Sequence, residues 1–136
     1  ELPLEMVPGE ISLPAGSITP LSGKGIELRP EGIIVYDNSG SLTYDLNNLE
    51  KKYGFKITGL SFPAWAGSEQ YSIKLLNQQT GNWEQLPENG RKLAAEEVNQ
   101  YLTKDRQLEI RINKRGNYGD MLPGWFGPAV EGVVSG

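Results

Sequence analysis

The chain has 136 residues, a net charge of −4 and neither cysteine nor histidine. That length encloses one hydrophobic core, and the acidic balance argues against nucleic acid or an anionic membrane surface, which need a concentrated basic face. Disulfides, thiolate nucleophiles, the usual zinc sites and imidazole-based triads are excluded, so any catalysis would rest on carboxylates, lysine, tyrosine or hydroxyls.

No apolar run approaches the roughly 20 residues that span a bilayer, and no basic segment followed by an apolar stretch opens the chain. Because it begins with Glu1 rather than methionine, we expect a processed protein or an excised fragment, with targeting signals in flanking sequence. We read residues 1–136 as one domain.

Residues 1–24 form a proline- and glycine-rich lead-in that permits an edge strand but not a helix, with Ile11–Leu13 the best strand. Ile26 and Leu28 alternate with polar neighbours, Ile33–Tyr36 is a β-branched and aromatic run, and Pro30–Gly32 between them reads as a turn or bulge. Asp37-Asn38-Ser39-Gly40 is a second turn, with Leu42-Thr43-Tyr44 as its return strand. Asp45 or Asn47 caps a short helical turn over Leu49–Lys52 that Gly54 closes.

Phe55–Phe62 alternates large apolar with small or polar residues, the pattern of a half-buried strand. Tyr71–Leu75 does the same, and Trp83–Leu86 returns antiparallel to it after the Gln79–Asn82 turn. Leu93, Ala94, Val98, Tyr101 and Leu102 share one face at helical spacing, which predicts a short amphipathic helix over 93–103. Leu108–Asn113 alternates strictly, as an antiparallel strand with one wet face does. Gly116–Gly127 reads as a long loop and Ala129–Val134 as the closing strand. Short strands, regular turns and one or two short helices predict an all-β fold, an antiparallel β-sandwich.

The second half carries an ordered set of signals: Leu75-Leu76-Asn77, Thr80-Gly81-Asn82-Trp83-Glu84, Val98-Asn99-Gln100-Tyr101-Leu102, Leu108–Ile112 and Pro128–Val133. Over residues 55–134 this resembles the galactose-binding-domain-like jelly rolls, especially those attached as extracytoplasmic modules to bacterial membrane and cell-surface proteins. The first third matches only in strand rhythm. Such domains often place glycine after the aspartate that precedes the penultimate strand, where this chain has Asp105-Arg106-Gln107. The resemblance implies a jelly-roll sandwich and a non-catalytic binding or spacer role at the cell surface, tethered through flanking sequence. Its partner would be a protein or a cell-envelope glycan.

Trp83 reads as a hairpin staple facing an apolar cross-strand partner, with ligand contact as the other reading. The loop Tyr118–Phe126 is the stronger recognition candidate, since Trp125 and Phe126 would form an aromatic patch; its other reading is a cap on the core. Trp65 ends a strand and would flank a cleft with Trp125 if both emerge at one end of the sandwich. Trp65, Tyr118, Trp125 and Phe126 are therefore the candidate ligand residues, and a carbohydrate-binding module using Trp65, Trp125 and Phe126 is the alternative function. Asp37–Ser41 with Asp45 supplies oxygens suited to calcium, but Asx-turn chemistry accounts for them equally, and no cofactor is expected. Glu84, Glu109 and Glu131 fall at the polar phase of strands and Glu96 and Glu97 on the wet side of a helix, so no acid pair for glycoside hydrolysis stands out. No enzyme is expected.

Overall fold

The computed structural model describes residues 9–36, 38–67, 69–114, 121–123 and 127–134, with the backbone alone for 121–123. The chain passes through β1 (Glu10–Leu13), β2 (Ser22–Lys24), β3 (Ile26–Arg29), β4 (Gly32–Val35) and β5 (Ser39–Asp45). Then come helix α1 (Leu46–Tyr53), β6 (Phe55–Phe62), β7 (Tyr71–Leu76), β8 (Trp83–Gln85), β9 (Arg91–Ala94), α2 (Ala95–Val98) and a 3-10 turn (Asn99–Tyr101). It ends with β10 (Gln107–Lys114), β11 (Met121–Pro123) and β12 (Ala129–Val134).

The strands form a four-stranded sheet ordered β1-β12-β6-β9, a five-stranded sheet ordered β2-β5-β10-β7-β8 and a three-stranded sheet ordered β11-β4-β3. Every strand pair is antiparallel. One apolar cluster joins the sheets: Ile11, Leu60, Phe62, Leu93 and Val130 come from the first, Leu42, Ile73, Leu75, Leu108, Ile110 and Ile112 from the second, and Ile33 and Val35 from the third. This is the antiparallel β-sandwich that the two-residue periodicity calls for.

Two elements show why the local pattern works. In β10 the buried positions alternate without a break, because the strand lies between β5 and β7 in unbroken register. In β6 they shift phase after Ile57: Glu131 pairs with Gly59 but Gly132 pairs with Ile57, leaving Thr58 as the extra residue of a bulge. A bulge reverses which side chains face inward, so Phe55 and Ile57 point into the core before it and Leu60 and Phe62 after it. Gly132 lies at this irregularity, and a Cβ there would run into the Phe55 ring.

Helix α1 has the expected ends. Asp45 accepts the Asn48 N–H at 3.1 Å as N-cap, Gly54 takes the left-handed conformation at φ 64°, and Lys51 and Lys52 occupy the last turn, where positive charge complements the helix dipole. The helix begins earlier than its sequence signal because Leu46 is buried at its first position.

The structure corrects three expectations. Residues 93–103 are not one helix: Leu93 and Ala94 continue β9, with Leu93 opposite Leu60. Helix α2 starts only after Glu97 turns back to accept the Ala94 N–H at 3.2 Å. The apolar residues still face the core, because the short helix continues into a 3-10 turn ending in buried Tyr101. Secondly, β5 does not return along β4; it pairs with β2 and β10, and the Asn38 carbonyl accepts the Lys114 N–H at 2.7 Å. The turn thus hands the chain from one sheet to another. Thirdly, part of the long 116–127 loop is the strand β11, paired with β4 from Met121–Ile34 to Pro123–Gly32. It is an edge strand, where proline's missing N–H is tolerated.

Candidate functional site

The segment joining β1 to β2 carries two prolines, and its turn is closed by the Ser17 hydroxyl and N–H, which donate to the Pro14 carbonyl at 2.5 and 3.2 Å. Across from it lies the end of the β3–β4 hairpin, with Leu28, Arg29, Pro30 and Gly32. Between them opens a cleft of about 430 Å³, lined also by Ala15, Ile18, Pro20 and Tyr44. The volume falls within the roughly 300–1,000 Å³ usual for small-ligand sites. Leu28, 45% exposed, is an apolar side chain that the core leaves uncovered at this edge.

Tyr44 is placed by the alternation of β5, which turns Gly40, Leu42 and Tyr44 inward. It is 1% exposed, and among the described residues its hydroxyl has no hydrogen-bond partner; it lies against Gly127, where an added Cβ would collide with it. Burial alone pushes its ionisation up to about 12. At the rim, the exposed Arg29 donates from Nε to Glu27 at 2.6 Å, and the Tyr36 hydroxyl donates to the other Glu27 oxygen. Hydrogen bonding by Tyr36 and then Arg29 lowers the Glu27 pKa.

A second polar cluster sits between the β7–β8 hairpin and the 3-10 turn. Glu84 accepts from the Tyr101 hydroxyl, from Arg91 at 3.0 Å and from Asn77 Nδ2 at 2.9 Å, while Arg91 also donates to the Tyr101 oxygen at 2.7 Å. Asn77 is 4% exposed, and its Oδ1 accepts the N–H groups of Gln79 and Thr80 at 3.0 and 3.2 Å, which shapes the hairpin turn. The Tyr101 hydrogen bond is the main reason the Glu84 carboxyl is held below its ordinary value. Each of these groups already faces a protein partner, so the cluster ties elements together and offers no poised acid or base.

The residues singled out from sequence divide. Tyr118, Trp125 and Phe126 lie outside the described residues, as does Asp37 of the proposed oxygen-rich turn. Trp65 does not stand at an open cleft: it is 7% exposed, its indole N–H donates to the Pro87 carbonyl at 3.0 Å, and its backbone N–H donates to Glu88 at 2.8 Å. The polar edge of the indole is satisfied by the 87–90 turn, so the ring locks two loops together. Trp83 lies opposite Leu76, as a hairpin staple requires, with the Arg111 guanidinium 4.2 Å above its ring. Asp45 is used as the α1 cap. Among the described residues no group of three or more Asp or Glu side chains is placed to hold a metal ion, and no helix is long and apolar enough to cross a membrane.

Sequence reasoning missed the Tyr44 cleft. The available signal was the inward phase of Tyr44 on its strand, which buries a hydroxyl that must find a partner or lack one.

Fold and cleft define an antiparallel β-sandwich with an apolar recess at one edge. A model of the family described as Domain of unknown function (DUF8815) matches residues 1–127, and the chain belongs to that family. No curated protein and no solved structure matches it, so the narrower galactose-binding-like kinship rests on the sequence resemblance alone.

Proposed function

We propose that this chain is a non-catalytic binding module of a larger bacterial cell-envelope or membrane protein, held outside the cytoplasm by flanking sequence and contacting a protein or cell-envelope glycan. The observation that carries the binding role is the contrast between charged and apolar surface. Two half-buried ion pairs are satisfied within the fold, Glu84 with Arg91 and Glu50 with Arg106, whereas the described residues leave the recess around Tyr44 open. A rigid sandwich with an open edge recess holds a partner without chemistry. The envelope location is supported by the resemblance of residues 55–134 to extracytoplasmic jelly rolls.

The carbohydrate reading now falls mainly on Trp125 and Phe126, since Trp65 has little ring surface left to stack on a sugar. Amide and indole NMR titration with peptidoglycan fragments and neutral oligosaccharides tests both readings. Saturable shifts around residues 15–32 support the proposed recess, and shifts confined to the Trp125 indole and its neighbours support the sugar platform. Turnover of any added glycan, lost on replacing one carboxylate, would overturn the non-catalytic assignment.

A further inference from the structure

The recess has a volume of about 430 Å³ and walls supplied largely by Ile18, Pro20, Leu28 and Pro30, and it is lined also by Tyr44, which is 1% exposed and whose hydroxyl, beside Gly127, has no hydrogen-bond partner among the described residues. Leaving a buried hydroxyl unsatisfied costs about 1–3 kcal/mol, a cost that a ligand removes when it supplies the missing hydrogen bond. A lone water is a poor substitute, since it needs about two to four polar partners and most of these walls are aliphatic or prolyl.

We infer that the recess binds a small, neutral, apolar molecule, aromatic or alicyclic, whose single hydrogen-bond acceptor meets the Tyr44 hydroxyl. The inference rests on the binding-module reading and names the ligand class for it. The ligand supplies the acceptor because burial keeps the Tyr44 hydroxyl protonated up to about pH 12, so it is a donor throughout the physiological range. Neutrality follows from the rim: among the described residues Arg29 is the one cation lining the recess, and it already faces Glu27 at 2.6 Å. A carboxylate would have to compete with Glu27 for that guanidinium and with bulk water at a half-exposed position.

Acetophenone serves as the probe, with benzoate as its anionic counterpart, in a titration followed by amide shifts of the whole chain. We expect saturable acetophenone shifts at residues 15–19, 28, 29, 32 and 44, and binding of benzoate at least tenfold weaker. Tyr44→Phe keeps the ring and removes only the hydroxyl, and should weaken acetophenone by about tenfold, the loss of one buried hydrogen bond. Thr19→Trp, at an exposed loop position, should abolish the shifts by filling the recess while leaving the fold intact. The inference is overturned if those amides do not shift up to the solubility of acetophenone, if benzoate binds as well, or if Tyr44→Phe binds unchanged. Shifts of the same amides on raising protein concentration without probe would assign the recess to a second copy and overturn it too. If acetophenone fails while an envelope glycan or partner still binds elsewhere on the sandwich, only the ligand assignment is lost.

Discussion

Arg106 offers the most quantitative test of how the turn before β10 is held. It sits at φ 59°, among the described residues the only non-glycine one with positive φ. The left-handed region costs an L-residue about 1–2 kcal/mol. Arg106 offsets this with its side chain, donating from Nε and Nη2 to the two Glu50 oxygens at 2.7 and 3.0 Å. The two side chains are 26% and 14% exposed, enough shielding for the forked pair to contribute about 2 kcal/mol net. Arg106→Ala loses the pair and keeps the backbone cost, so it should destabilise the chain by about 2 kcal/mol. Arg106→Gly loses the same pair but relieves the strain, and should be about 1 kcal/mol more stable than the alanine variant. Urea unfolding of the three proteins measures this. Equal midpoints for alanine and glycine would refute the strained turn, and an alanine variant as stable as the parent would refute the contribution of the ion pair.

Other consequences follow from single contacts. Gly132→Ala places a methyl group against the Phe55 ring and 2.6 Å from the Lys56 carbonyl, and should cost about 2–3 kcal/mol in urea unfolding because backbone pairing on both sides of β12 blocks relaxation. Glu84→Gln should lower the melting temperature and flatten the loss of stability in acid. The folded-state pKa of Glu84 lies below its ordinary 4.5, so its contribution is present above about 4.5 and fades as pH falls through the lower folded value. Tyr44 acts at the other extreme. Its folded pKa is raised from 10.0 to about 12, so the folded chain keeps a proton that the unfolded chain releases, and stability is full below pH 10 and falls as pH rises from 10 toward 12. Tyr44→Phe should make that alkaline decline shallower by about 2 kcal/mol across the window, read from urea unfolding at stepped pH.

Local regularities were legible because local forces set them. The alternation of Leu108, Ile110 and Ile112 identified a strand, and Asp45 with Gly54 identified both ends of α1. Partner choice was not legible, since it depends on contacts distant in sequence. Nothing near Ser39–Tyr44 says that β5 pairs with β10 rather than β4, and nothing in Met121-Leu122-Pro123 announces its pairing with Ile34 to Gly32. Leu93, Val98 and Tyr101 fit a helical face and are all buried, yet the demand of β6 for a neighbour draws Leu93 into a strand. The same limit applies to the recess: the phase of β5 says that Tyr44 points inward, but the recess forms only when the 15–20 segment and the β3–β4 hairpin are both in place. Trp65 looked available beside Pro63 and Gly67, and was claimed by a carbonyl in the turn after β8.

The free energy of unfolding of Tyr44→Phe at neutral pH tests the central claim, that the hydroxyl of Tyr44, a residue lining the recess, has no partner among the described residues and is free to bond a ligand. Removing an unsatisfied buried hydroxyl should leave the chain equally stable or raise its stability by up to about 1 kcal/mol. A loss of about 1 kcal/mol or more would mean that the hydroxyl already has a partner inside the fold, and would contradict the assignment of the recess as a binding site.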